Sequence, residues 1–224
     1  MISILENMSK NYSKVKPKNL VGSINIEIAE NIFNLKLSED NTSIHEGKDD
    51  KAIMTLYMNE ETWGNLASGK WNGMTAAGRE HMSQSTPLDF KFGKDVVLSK
   101  ELMQDLYHLA MHFFNTTYPT HAYFGLENTR VIHGGNAVAL AYGPGVRSAY
   151  YAIRDDQQIN ADEKDPWTQC FIVIGGSGTA TIDGVKMKIE KGMAIHVPPN
   201  VTHTFIADSG VILEGIWLAY GEGA

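Results

Sequence analysis

The chain has 224 residues, 43% of them apolar and 20% charged, the balance of a globular protein with one large or two small domains. A formal charge of −7 argues against nucleic acid or an anionic membrane surface as a partner. The single cysteine, Cys170, excludes an internal disulfide and a cysteine zinc cluster. No apolar run approaches the ~18 residues of a membrane-spanning helix, and the opening MISILENMSKNYSK lacks a signal peptide's basic tip and apolar stretch. A cytoplasmic protein without integral membrane contact is expected.

In chain order, residues 2–14 fit a short amphipathic helix through Ile4, Leu5 and Met8. Ile24, Ile26 and Ile28 then alternate with polar residues, as do Phe33, Leu35 and Leu37, so two half-buried strands are predicted with a tight turn at Glu30-Asn31. A further strand fits Ala52 to Met58. Asn59 suits a helix N-cap, with Glu60 and Glu61 in the first turn and Gly69 as the stop. A second short helix fits Met74 to Met82, and Leu88–Phe92 fits a strand.

Ser99 should cap the longest helix, near 100–115. Leu102, Leu106, Leu109 and Phe113 repeat at the helical period, and Met103, Ala110 and Phe114 widen that stripe. A face so wide is expected to pack on the sheet. His108 and His112 stand four apart on the same helix, a spacing that can share a metal, or that simply belongs to a solvated face. Thr116 to Leu126, with Pro119 and Gly125, has the composition of a connector. The expected domains are 1–118 and 119–224.

The second half is short strands divided by glycine or proline. Ala137–Tyr142, Val146–Arg154, Thr168–Ile174, Thr179–Ile182, Val185–Ile189, Ala194–Val197, His203–Ala207 and Val211–Ala219 all fit. Asp183-Gly184 is a two-residue hairpin signal. The polar run 155–165 is expected to be a solvated loop. Strands this short and this evenly spaced indicate a sandwich or closed barrel.

Gly192-Met-Ala-Ile-His-Val-Pro198-Pro199-Asn200-Val-Thr-His203 sets glycine, proline and histidine at the spacing of the second cupin motif, G-x5-P-x-G-x2-H. Asn200 replaces a turn glycine, and Asn also visits positive φ. The motif's terminal Asn falls at Ala207. Gln169 to Gly176 is similar to the end of the first motif, with Gln169 in the glutamate position. The two motif histidines would lie within Asp162–Asp165, which reads Asp-Glu-Lys-Asp. The resemblance implies an all-β cupin barrel, or double-stranded β-helix, in the C-terminal domain.

A cupin metal needs three inward histidines and a carboxylate, a set suited to iron, manganese, nickel or zinc. Only His203 of that set remains, beside neutral Gln169, so no cofactor is expected. A divalent metal, if held, would have to use His203, Gln169 and His196, or be rescued by Asp162, Glu163 or Asp165. His203 is either a buried histidine hydrogen-bonded across the barrel to Gln169 or a polar hook in a small-molecule pocket. If Gln169 faces inward, so do Phe171 and Val173, while Cys170, Ile172 and Ile174 face outward. Arg147, Tyr150, Tyr151 and Arg154 share one strand, and an inward arginine could recognise a carboxylate. Gln169, His203, Tyr151, Arg147 and Phe171 are the expected ligand-binding residues.

Thr55 to Ala77, with Ser68-Gly69-Lys70, Asn72, Met74 and Ala76 in order, resembles sterol-carrier-protein domains. That likeness implies an α+β N-terminal domain of sheet and helices around an apolar ligand tunnel. Eight of the ten methionines lie in the first 111 residues, which suits either a plain core or an adaptable apolar site. The combined expectation is a non-catalytic protein binding a small molecule or lipid, a homodimer in solution. The alternative is a cupin enzyme of the isomerase, hydrolase or dioxygenase type that uses His203.

Overall fold

The computed structural model describes residues 1–80, 84–160 and 164–224. The chain divides into two compact units, Met1–Ala77 with Ser85–Tyr123, and Gly78–Gln84 with Phe124–Ala224. Most of the regular structure is β-sheet, with a few helices in the first unit.

The first unit opens with helix α1 (Ile2–Tyr12), whose Leu5, Met8 and Tyr12 are fully buried on one stripe. Strands β1 (Gly22–Ile28) and β2 (Asn31–Leu37) form a hairpin in which Ile28 pairs with Asn31. The turn is therefore Ala29-Glu30, one residue earlier than the sequence suggests. Ala29 takes φ +50 and its N–H donates to the Met58 carbonyl at 2.9 Å, so the neighbouring strand holds the turn.

Five strands build this sheet in the order β3-β2-β1-β4-β5, with β3 at Thr42–Glu46, β4 at Met54–Met58 and β5 at Asp89–Phe92. β3 has no counterpart in the sequence reading, because Ile44 is its only large apolar residue and its pairing to β2 is a tertiary effect. β1 pairs with β4 in parallel and with β2 antiparallel.

β1 and β2 are not half-buried as their alternation suggests. Ser23, Asn25 and Asn34 on the polar face are buried as well. Asn25 explains why: its Oδ1 accepts from the Asp49 N–H at 2.9 Å and from Asn34 Nδ2 at 3.0 Å, while its Nδ2 donates to the Asp49 carbonyl at 2.9 Å. Ser23 Oγ donates to Asp49 Oδ2 at 2.8 Å. The segment carrying Asp49 thus covers this face, and side-chain amides satisfy its backbone.

Helix α2 (Glu60–Ala67) starts at Asn59, whose side chain accepts from the Thr62 N–H at 2.8 Å. Helix α3 (Gly73–Ala77) is shorter than expected; part of the predicted span, including Met82, lies outside the described residues. A Cβ on Gly73 would sit 2.5 Å from the Ala110 carbonyl oxygen, so only glycine permits this approach of α3 to the backbone at Ala110. Helix α4 (Lys100–His112) is capped by Ser99, which accepts from the Leu102 N–H at 3.1 Å. It ends before Phe113 and Phe114, yet Leu106, Leu109 and Phe113 share one core with Ile24 and Ile26. The helix packs on the sheet.

The second unit contains β6 (Arg130–Ile132), β7 (Gly135–Gly143), β8 (Val146–Ile153), β9 (Gln158–Ile159), β10 (Thr168–Gly175) and β11 (Ser177–Ile182). It continues with β12 (Val185–Glu190), β13 (Ala194–Val197), β14 (His203–Ala207) and β15 (Leu213–Tyr220). Two sheets result, ordered β13-β10-β15-β8-β7-β6 and β12-β11-β14-β9, enclosing one core that includes Phe171, Val173, Ile189, Ile195, Phe205 and Leu213. Asp183 and Gly184 both take positive φ in the β11–β12 turn, the conformation their dipeptide signals. Asn200 takes φ +62 where the motif glycine would stand.

The run 155–165 is not wholly a solvated loop. Within it β9 pairs with β14, matching Ile159 to Phe205, and Ile159 is 2% exposed in the core. Its single apolar side chain among polar neighbours hid the strand. Ile159→Ala is expected to lower unfolding free energy by about 2–5 kcal/mol, whereas exposed Gln158→Ala should change it by no more than about 0.5 kcal/mol. Urea denaturation of the two variants separates a core strand from a surface loop.

Candidate functional site

The barrel's inner wall is built in cross-strand rows, because strands in register carry side chains of one parity to one face. One row runs Tyr142, Arg147, Ala219, Gln169, Val197. The next runs Ala149, Trp217, Phe171, Ile195, and the third joins Tyr151, Gly215 and Val173. Gly215 leaves room for the Phe171 ring, since a Cβ there would lie 2.3 Å from it. The Phe171 ring in turn packs against Phe205, centroids 4.5 Å apart. Aromatic side chains therefore line this part of the wall, and the polar groups gather beside them.

Those polar groups are Asn160, Asp165, Gln169, His203 and Trp217. Trp217 Nε1 donates to Gln169 Oε1 at 2.5 Å, and Gln169 Nε2 donates to Asp165 Oδ2 at 2.8 Å. An indole only donates and a carboxylate only accepts, so the Gln169 amide can face one way only. Asp165 Oδ2 also lies 4.0 Å from His203 Nε2. His203 Nδ1 is 3.0 Å from the Val201 carbonyl, and Nε2 is 2.8 Å from Asn160 Nδ2. A carbonyl cannot donate, so Nδ1 carries the proton and Nε2 accepts the Asn160 amide hydrogen. His203 and Gln169 are each 1% exposed, and the Asp165 side chain is 22% exposed.

The sequence-derived residues distribute as follows. Gln169, Phe171, Tyr151 and His203 share the barrel interior. Arg147 lies on the same wall with its guanidinium 4.2 Å from the Trp167 ring centroid and 5.7 Å from that of Tyr142. His203 is not bonded to Gln169: Asp165 stands between them, and Asn160 and Val201 take the imidazole. His196 pairs in register with Cys170, on the opposite face from Gln169, and is exposed, so it does not reach His203's site. Cys170 is buried, and burial pushes its thiol up.

Asn160 and Trp217 escaped the sequence reading. Trp217 shares parity with Ala219 along β15, a usable signal. Asn160 sits at φ +54 beyond β9, and nothing in its neighbourhood marks it as inward. Asp162 and Glu163, candidates to rescue a metal site, lie outside the described residues.

A metal at the cupin position would need lone pairs from Gln169, His203 and an acid. Gln169 Oε1 already accepts the indole N–H, His203 Nε2 already accepts the Asn160 amide, and Asp165 Oδ2 accepts Gln169. These residues do not fit a divalent ion without breaking those bonds. Among the described residues no group of three or more His, Cys, Asp or Glu is placed to hold a metal.

In the first unit, His108 and His112 stack with ring centroids 4.3 Å apart. Burial pulls His108 down to about 4 and lowers His112 as well, and the Nδ1 atom of each is buried with no hydrogen-bond partner among the described residues. They are not an ordinary solvated face. A polar pocket of about 480 Å³ lies near the start of β1, lined by Ser23, Lys36, Asn41, Thr42, Asp49 and Lys51 among others.

Residues 155–218 match the family model described as Cupin domain. That stretch of the second unit has a cupin-type β fold. No curated protein sequence matches the chain. Similar solved structures include a cupin protein from Bacteroides fragilis, at 17% identity over 39% of this chain and 78% of that one, TM-score 0.35. A predicted oxalate decarboxylase from Thermotoga maritima is 11% identical over 38% and 78%, TM-score 0.36. The salicylate 1,2-dioxygenase of Pseudoaminobacter salicylatoxidans with gentisate is 20% identical over 41% and 26%, TM-score 0.37. At these values the likenesses carry no functional argument.

The hydrogen-bond chain of this barrel makes a direct demand on Gln169. Gln169→Glu sets a second carboxylate against Asp165 and removes the donor between them. Like charges this close raise a carboxyl pKa, so the destabilisation is present at neutral pH and fades as pH falls through the raised value. Thermal melts should show Gln169→Glu below wild type at pH 7 and closer to it near the ~4.3 of a free glutamate.

Proposed function

We propose that the chain is a non-catalytic binding protein, with a degenerate, metal-free cupin barrel holding a small molecule and a sterol-carrier-like first unit holding an apolar ligand. The observation that carries the barrel reading is the closed chain Trp217–Gln169–Asp165, which engages the atoms a metal would use. Phe171 and Phe205 pack in the barrel core, Trp217 lies partly buried against them, and the part-exposed Asp165 supplies a polar end. Small-molecule sites have this character, mostly apolar with a few placed polar groups.

The first-unit reading is supported by the layout of α4 against a five-stranded sheet and by Met54, Met58 and Met103 in or against that core. The expected domains at 1–118 and 119–224, a homodimer and a cytoplasmic setting belong to the same proposal. Among the described residues no helix is long and apolar enough to cross a membrane.

The enzyme alternative makes His203 a general base, which requires a ring nitrogen that can take a substrate proton. Both nitrogens are engaged and the residue is 1% exposed, so no observation favours that role. Native mass spectrometry of the purified full chain tests the proposal. Copurified apolar ligand, a dimer mass and no stoichiometric metal are expected. One metal per chain, lost in His203→Ala with the far-UV spectrum unchanged, would replace it with the enzyme reading.

A further inference from the structure

The polar face of the first unit's sheet is covered over only part of its area. Strands in register put Ser23, Lys36 and Ser43 in one cross-strand row and Asn25, Asn34 and His45 in the next, all on one face. Asn25 and Asn34 are buried where the Asp49 segment bonds to Asn25. Lys36 stands beyond that cover, and there the face opens into the cavity of about 480 Å³. Small-molecule sites occupy roughly 300–1,000 Å³. Bonds within the protein fix the cavity's lining. Ser23 Oγ donates to Asp49 Oδ2 at 2.8 Å, and the Lys51 N–H donates to Asp49 Oδ1 at 2.9 Å. At the rim, Ser38 donates its N–H and its hydroxyl to the Asn41 carbonyl, at 2.9 and 3.1 Å.

Asp49 is the only acid among the lining residues, and both its oxygens already accept from the protein. Those two hydrogen bonds, and then the charges of Lys36 and Lys51, hold its carboxyl below the usual carboxylate range. Among the described residues neither lysine forms a salt bridge. Two ammonium groups against one carboxylate leave the cavity locally positive, in a chain of formal charge −7. We propose that this cavity binds a small ligand by a phosphate monoester group held between the Lys36 and Lys51 side chains. A phosphate monoester carries about −1.5 to −2 charge at pH 7 and three acceptor oxygens, enough for both ammonium groups. A monocarboxylate would leave one of them unanswered, and a cation would meet two like charges. The Asn41 carboxamide and the Ser43 hydroxyl line the same cavity and suit a hydroxyl-bearing remainder of the ligand. The site is separate from the apolar ligand proposed above, because Ile24, Ile26 and Leu35 point to the opposite face of the sheet, into the core.

Isothermal titration calorimetry of the full-length protein at low salt, with glycerol 3-phosphate, glycerol and acetate as probes, tests the site. Saturable binding of one glycerol 3-phosphate per chain is expected, weakening as salt rises, with glycerol and acetate giving no saturable heat. Lys36→Gln and Lys51→Gln should each raise its Kd by roughly tenfold. Both side chains are exposed, so unchanged melting temperatures are expected to show that the fold is kept. Lys186→Gln removes the same charge from an exposed position on β12 and should leave the Kd as it was. An equal loss in Lys186→Gln would reduce the binding to general charge attraction and overturn the proposal. So would no effect of either cavity variant, glycerol or acetate binding as tightly as glycerol 3-phosphate, or no saturable heat with glycerol 3-phosphate. The native mass spectrum tests the other two ligands separately.

Discussion

The amide of Gln169 holds the barrel's interior together by being held at both ends. Trp217 can only donate to it and Asp165 can only accept from it, so its orientation follows from the partners. Buried polar groups without partners cost on the order of 1–3 kcal/mol each. Here an indole N–H, an amide and a carboxylate oxygen meet that requirement among themselves. His203 meets it separately, through Val201 and Asn160. In this chain that wall is closed by neutral and singly charged side chains.

That closure depends on the rows around it. Gly215 and Ala219 are the small residues of β15, and they flank Trp217. Gly215 admits the Phe171 ring, and Ala219 separates Arg147 from Gln169 across the wall. A Cβ at position 215 would collide with the Phe171 ring at 2.3 Å. Arg147 lies over the Trp167 ring, a cation–π arrangement that keeps a guanidinium at the wall without burying it. The first unit uses the same device in another form: Asn25 satisfies the Asp49 backbone on the polar face of β1 and β2, and Asn34 donates to Asn25 Oδ1.

Much of the barrel was legible in the sequence because turn chemistry and period two are local. Asp183-Gly184, Asn200 and the Gln169–Phe171–Val173 parity all appear in the structure where the residues indicate. What escaped was set by pairing across distance. β9 is two residues long and β3 has one large apolar side chain, and both exist because a neighbouring strand supplies the ladder. The partners of His203 escaped for a related reason: Asn160 and Asp165 come from a polar stretch whose composition suggests only a loop. The loss of the metal motif was visible from residue identities, but what replaced it required Trp217, forty-eight residues from Gln169.

The most direct test of the closed network is anomalous diffraction from crystals grown with excess manganese or zinc. The account requires no anomalous peak at His203 Nε2, with the Trp217 indole still on Gln169. A full-occupancy peak bonded to His203 and to a turned Gln169 oxygen would contradict it.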